Sequence, residues 1–461
     1  MFETIKNCFK VKEIRKKIWI TLALLLVFRL GCYIPVPGIN PETFKGVIGS
    51  NDFLGILSSI TGGSLQNATL FALGISPYIN ASIIIQLLTV GIPALERLSK
   101  QGEDGRKKIA QITRYVTIAL AVAQAIGIIL NFGFQTGSDG EMPIRLVYFG
   151  SGAIGEAGAK WLAGIFLTVV YTAGSMLVMW IGERITEYGV SNGISLIIFI
   201  GIISTAGLTV LNKILGIFGV GDFATAGLTN LWEILGFIIL TIVEFAAIVA
   251  VDLSERRIPV QYAKQVKGRK MYGGQSSVIP IKISGSGVMP LIFAFAIISA
   301  PQMIISVFFA YDQNAVTGVT NWFSGSSPFW YGQLIYMIVL CVLIFAFSFF
   351  YQSMQFNPED VSKTIQQNGG FIQGIRPGKP TADYLKKISN RITLFGAIYL
   401  TLVAFIPSIL SMILTGLGQG DLALLSVFST TGILIVVSVA MELDKQLESQ
   451  LMMKNYKGFL K

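Results

Sequence analysis

The chain has 461 residues, of which 53% are hydrophobic and 13% charged, with a formal net charge of +10. Soluble domains carry about twice that charged fraction, so the composition excludes an ordinary water-soluble globule and points to a polytopic membrane protein. Histidine is absent, and Cys8, Cys32 and Cys341 lie far apart, which removes imidazole catalysis, His metal ligation and any CxxC motif.

From the N-terminus, the basic segment Lys6 to Lys17 leads into an apolar run with no small-residue cleavage site after it, so no cleavable leader is expected. Ten spanning helices are predicted, near 18–36, 68–91, 109–131, 161–182, 192–211, 231–251, 288–310, 331–351, 391–411 and 422–441. Of the 35 Lys and Arg, 29 fall on one set of connecting segments, and only Lys45, Arg145, Lys160 and Lys213 on the other. That asymmetry predicts cytoplasmic termini. Arg29 and Arg114 lie inside spans, as do Glu233 and Glu244.

Between the first two spans, residues 53–66 read FLGILSSITGGSLQ. As a helix this stretch reaches only about 21 Å, short of the roughly 30 Å hydrocarbon core. Its position on the outer side suits a re-entrant segment, tolerated where protein or a water-filled cavity surrounds it. Phe53, Ile56, Leu57 and Ile60 form one apolar stripe at helical spacing. Ser58, Ser59, Gly62 and Gly63 are expected to face an outer funnel or serve as a hinge. A structured outer loop packed beside the bundle is the plainer alternative.

Ten spans with both ends on one side divide into halves of five, 1–212 and 213–461, and an odd number of spans inverts the second half relative to the first. Inverted halves place a path at their interface, marked by interrupted helices in corresponding positions. The second span of the first half opens Gly74-Ile75-Ser76-Pro77, and that of the second half opens Gly287-Val288-Met289-Pro290. Two residues after each proline comes an isoleucine, Ile79 and Ile292, and Ile75 lies one turn before Ile79. The fifth spans carry Gly193-Ile194-Ser195-Leu196-Ile197-Ile198 and Gly432-Ile433-Leu434-Ile435. A waist of isoleucines blocks ions by dewetting. Taken singly, each of them fits a core or lipid-facing position at least as well.

Two cytoplasmic loops are long. Residues 252–287 carry Arg256, Arg257, Lys264, Lys267, Arg269 and Lys270 among β-favouring and aromatic residues, the pattern of a protruding hairpin. Residues 352–390 carry Arg376 between Ile375 and Pro377. Such charges fix topology and meet anionic lipids, or dock an acidic or nucleic-acid-rich partner. Intramembrane acids are too few for a proton- or sodium-coupled carrier. No G-x-x-x-x-G-K-[ST] motif is present, so the chain supplies no ATPase of its own.

The strings FRLGCYIPVPGI (28–39), FALGISPYINASIIIQLLT (71–89), EDGRKKIAQITRY (103–115), ERRIPVQYAKQ (255–265) and GIRPGKPT (374–381) resemble the SecY family of protein-conducting channels over nearly the whole chain. The resemblance implies an all-α polytopic membrane protein of ten transmembrane helices, two inverted five-helix halves forming a clamshell around a central pore. It implies a pore ring of Ile75, Ile79, Ile198, Ile292 and Ile435, and a movable plug at 53–66. A lateral gate between spans two and three and spans seven and eight would carry Asn80, Ile83, Gln86 and Gln124. The basic loops would meet the ribosome and the SecA motor, with Arg376 first and Arg256 and Arg257 next. SecE and SecG would be membrane partners, in the cytoplasmic membrane of a bacterium, and the cargo an unfolded secretory polypeptide or signal sequence. No cofactor, metal or catalytic residue is implied. An inverted-repeat transporter of a small solute is the alternative. Glu244 has no role in either reading, 132–160 and 212–230 match the family poorly, and 450–461 carry no signal.

Overall fold

The computed structural model describes residues 2–49, 58, 61–133, 142–149, 151–217, 227–262, 265–267, 270–272, 276–283, 287, 289–308, 318, 330–416 and 430–458. Its helices in chain order are α1 (Phe2–Lys10), α2 (Lys12–Gly31), α3 (Pro41–Gly49), α4 (Ser76–Gly91), α5 (Pro93–Ser99), α6 (Glu103–Ile128), α7 (Ser151–Tyr188), α8 (Gly193–Ile217), α9 (Gly227–Leu253), α10 (Met289–Phe308), α11 (Trp330–Gln355), α12 (Pro358–Gln367), α13 (Lys379–Gly416) and α14 (Thr430–Gly458). A helix covers more than half of each predicted span. Among the described residues, Glu103–Ile128, Gly155–Tyr188, Tyr331–Gln367 and Lys379–Phe405 are long and apolar enough to cross a membrane. The pair α4 and α5, bent by 105° at its break, adds a fifth candidate.

The boundaries depart from the sequence expectation where local chemistry intervenes. The second span, predicted from residue 68, becomes helical only at Ser76, because Gly74 takes a left-handed φ of +53° and 61–75 runs as turns. The bend between α4 and α5 falls at Ile92, held extended (φ −109°, ψ 112°) by the proline that follows. Asn357 caps α12, its side chain accepting from Glu359 N at 3.1 Å, and Pro358 occupies the first turn.

The chain forms two compact units, one of Met1–Ile234, Ser299–Tyr336 and Val439–Lys461, the other of Leu235–Ile298 and Met337–Ser438. In the first, Phe44, Leu65, Leu73, Ile144, Leu167 and Tyr171 share one buried cluster. A smaller cluster joins Cys8 and Ile14 to Val190 and Leu447. Residues 450–458 continue α14, and Gln450 Nε2 donates to the carbonyl of Val190 at 3.2 Å.

The second unit holds the strands β1 (Glu255–Tyr262), β2 (Gln265–Lys267), β3 (Lys270–Tyr272), β4 (Ser276–Lys282) and β5 (Gly370–Phe371). β1 and β4 pair antiparallel, with Arg256 opposite Ile281 and Ile258 opposite Ile279. The predicted hairpin is therefore present. β5, more than a hundred residues along the chain, pairs with the other edge of β1, so the two basic loops build one sheet. Ile258 and Val260 alternate inward onto Ile281, Ile365, Ile372 and Leu385.

Candidate functional site

Both G-x-x-P motifs fold the same way. Gly74 and Gly287 have φ of +53° and +59°, and in each case the helix begins two residues later with proline in its second position. Glycine supplies the left-handed turn without a Cβ clash. Proline there forfeits only an N–H that a first helical turn leaves unpaired. A sharp entry into α4 and α10 follows from these residues alone.

The isoleucines after these entries divide by burial. Ile75 is 3% exposed and approaches Gly182 of α7 together with Ile194 and Ile197 of α8. Ile198 is likewise buried, whereas Ile79 is half-buried. In the other unit Ile435 is buried and Ile292 half-buried. Of the three in the first unit, Ile75 caps the start of α4, Ile79 lies on α4 and Ile198 on α8.

Of the residues assigned to 53–66, Phe53, Ile56, Leu57, Ser59 and Ile60 lie outside the described residues. Ser58, Gly62 and Gly63 are described; Ser58 and Gly62 are buried and Gly63 is half-buried. Ser58 is 2% exposed, and its carbonyl accepts from Gly63 N at 2.8 Å and Thr61 Oγ1 at 3.1 Å. The segment turns tightly here, so its hydroxyls satisfy backbone rather than water. Ser64 Oγ donates to the carbonyl of Thr61, and Thr69 Oγ1 to that of Ser64. Gly62 and Gly63 have φ of +72° and +83° and lie against Gly201 and Thr205 of α8. Arg29, near the end of α2, donates from Nη1 to the carbonyl of Gly62 at 2.9 Å. An arginine inside a predicted span is a candidate for function and commonly pairs with a carbonyl; the sequence singled Arg29 out but named no partner for it.

On α4, Asn80 and Gln86 are half-buried and Ile83 is buried. Gln86 Nε2 donates to Ser82 Oγ at 3.1 Å within its own helix. Gln124 on α6 is 6% exposed, and its Nε2 finds no acceptor among the described residues. A cleft of about 590 Å³ in the same unit is lined by Tyr78, Arg114, Trp180, Glu183, Arg184 and Asn192 among others. There Arg114 Nε donates to Glu183 Oε1 at 2.8 Å. Glu244 on α9 is buried.

On the basic sheet, Arg256 and Arg257 are exposed, and Arg257 Nε donates to Glu255 Oε1 at 2.7 Å. Lys267 and Lys270 pair across the β2–β3 ribbon, while Lys264 and Arg269 lie outside the described residues. Arg376 is exposed on a turn, where its carbonyl accepts from Thr381 Oγ1 at 2.8 Å. Among the described residues no cluster of acids or cysteines could hold a metal.

The family model for SecY matches residues 69–443. Protein translocase subunit SecY of Streptomyces coelicolor is 39% identical over 477 residues, covering 100% of both chains. The same subunit of Bacillus licheniformis is 40% identical, again over 100% of both. The chain belongs to the SecY family. The SecY subunit of Thermus thermophilus adds a 38% identical relative, matched over 100% of this chain and 98% of its own. Two solved structures share the fold. One described as a protein-conducting channel has a TM-score of 0.62 at 20% identity, covering 94% of this chain and 92% of its own. Sec61 in a canine ribosome–channel complex has a TM-score of 0.61 at 18% identity, with the same coverage. As a SecY-family chain, this protein is a protein-translocation channel subunit of a membrane translocase. It is not an enzyme, and the small-solute transporter alternative falls away.

Proposed function

We propose that the chain forms the pore through which unfolded secretory polypeptides cross the cytoplasmic membrane of a bacterium, and from which membrane helices leave sideways into lipid. Ten spans in two inverted halves, 1–212 and 213–461, form a clamshell with both termini cytoplasmic. The observation that carries this reading is the pair of matching G-x-x-P helix entries at Gly74 and Gly287, one in the second predicted span of each half. The 29-to-4 partition of Lys and Arg supports the orientation.

In this reading Ile75, Ile79, Ile198, Ile292 and Ile435 ring the waist. Branched aliphatics part around an extended chain, offer it no hydrogen bond, and dewet behind it. The segment 53–66 plugs the idle pore. Asn80, Ile83, Gln86 and Gln124 belong to the lateral gate, where polar contacts average about 0.6 kcal/mol each, weak enough to open. Arg256, Arg257, Lys264, Lys267, Arg269, Lys270 and Arg376 meet SecA, the ribosome or anionic lipid on the cytoplasmic face. SecE and SecG complete the channel, and SecA or translation supplies the energy.

Proteoliposomes holding the chain with SecE and SecG test the reading. Uptake of a secretory precursor that requires SecA and ATP is expected, and deletion of residues 55–63 is expected to raise ion leak through the idle channel. Precursor uptake independent of any motor, or an idle leak unchanged by the deletion, would contradict it.

A further inference from the structure

The strongest unassigned feature is the contact between Arg29 and Gly62. Arg29 is a half-buried cation close to the end of α2, on a side of the chain that carries almost no other positive charge. A charge placed so is costly unless it is paired. Its fork donates from Nη1 to the carbonyl of Gly62 at 2.9 Å and from Nη2 to Tyr33 Oη at 3.1 Å, and the Cys32 thiol also lies beside it. The Tyr33 ring also lies beneath the guanidinium, 4.9 Å from its carbon, a cation–π contact that fixes the plane of the fork.

Gly62 is shaped for this approach. Its φ of +72° turns the chain, and a Cβ there would meet Arg29 Nη1 at 2.7 Å and Gly201 Cα at 3.3 Å. The peptide is thus pinched between α2 on one side and α8 on the other. The hydroxyls of Thr61 and Ser64 close short-range turns within 58–69, and the Ser64 side chain also meets the Cys32 thiol just past α2. Arg29 therefore supplies a long-range, charge-assisted tie on this stretch, and a charge-assisted bond is about twice as strong as a neutral one.

We infer that Arg29 is the positioning residue that seats the plug: its hydrogen bond to the Gly62 carbonyl holds the end of segment 53–66 against α8 and so sets the closed channel. The inference rests on the plug reading given above. A cation that grips one carbonyl, rather than a side chain, is released by rotation of a single peptide. The two left-handed glycines allow that rotation without a steric barrier.

The test is ion leak and precursor translocation by proteoliposomes holding the full channel, comparing wild type with Arg29→Met, Arg29→Lys, Tyr33→Phe and the 55–63 deletion. Losing one charge-assisted bond should raise the idle leak of Arg29→Met about ten-fold. Arg29→Lys, which keeps a cationic donor without the fork, should fall between, and Tyr33→Phe should leak less than Arg29→Met. Translocation by Arg29→Met should equal or exceed wild type, an outcome that a merely structural defect would not give. A leak in the deletion without one in Arg29→Met would overturn the seat and spare the plug. Absence of leak in both would overturn the plug and the seat together. Leak in Arg29→Met accompanied by lost translocation would also overturn the inference, by showing a folding role instead.

Discussion

Ser175 Oγ, on α7, donates to the carbonyl of Gly74 at 3.2 Å, tying α7 to the turn from which α4 departs. Both residues are buried. Ser175→Ala removes one buried neutral hydrogen bond and should cost about 1 kcal/mol. Gly74→Ala should cost more, about 1–3 kcal/mol, because φ is +53° and the new Cβ meets Thr61 Cγ2 at 2.6 Å. Melting of the purified channel in mild detergent gives the order, and a larger loss for Ser175→Ala than for Gly74→Ala would contradict it.

The ion pair between Arg114 and Glu183 invites an overestimate. Its oxygen and nitrogen are 2.8 Å apart, yet the Arg114 side chain is 47% exposed and lines an open cleft. Solvent screening puts such a pair in the range of about 0.2–1 kcal/mol, at the low end for this exposure. A double-mutant cycle on Arg114→Ala and Glu183→Ala, read by denaturant unfolding in detergent, should return a coupling in that range. A coupling several-fold larger would mean the cleft is closed to water in the assembled channel.

Much of this was legible in the chain. The two helix entries were readable because glycine and proline act through local backbone geometry, which a motif of four residues contains. The basic hairpin was readable from its β-favouring and aromatic residues. Two features were not. Pairing of β5 with β1 joins residues more than a hundred positions apart, and two residues carry no periodicity to detect. The partner of Arg29 is a backbone carbonyl, which every residue owns, so no residue type announces it. The extension of α14 past 441 did leave a trace: Leu443, Leu447 and Leu451 repeat at spacing four, and they pack beside Cys8 and Val190. Thr61 and Ser64 carry the polarity that suggested a wet surface, yet their hydroxyls donate to backbone carbonyls of the turn, a use that residue type alone does not announce.

The basic sheet depends on its inner face. Val260 is fully buried among Ile258, Ile281 and Leu385, while its neighbour Pro259 is exposed. Val260→Asn places an unpaired amide there, at a cost of about 1–3 kcal/mol. The expected consequence is local: faster proteolysis within 255–282 and 365–385, with the membrane helices still protected. Val278 is exposed on β4, and Val278→Asn should leave the cleavage rate within about two-fold of wild type, as surface changes usually stay within ±0.5 kcal/mol. Equal acceleration by both variants would contradict the assignment of faces.

Cys8 reports on the docking of the amino-terminal helix. Itself on α1, it is 0% exposed and packs with Ile14, Val190 and Leu447. Burial raises its thiol pKa above the ordinary value, and the negative charge of Asp444 adds to the shift. The neutral thiol is therefore the form that the docked helix favours. Its stabilising contribution is complete below the ordinary thiol pKa and fades as pH climbs through the raised one. Maleimide labelling of Cys8 at neutral pH should be much slower in the folded channel than after unfolding in detergent. Leu447→Ala, which opens the contact, should accelerate it, because thiolate fraction and access rise together. Labelling of folded Cys8 as fast as that of the unfolded chain, with Cys32 and Cys341 replaced by Ser to isolate the signal, would show that α1 is not docked in the membrane-embedded protein.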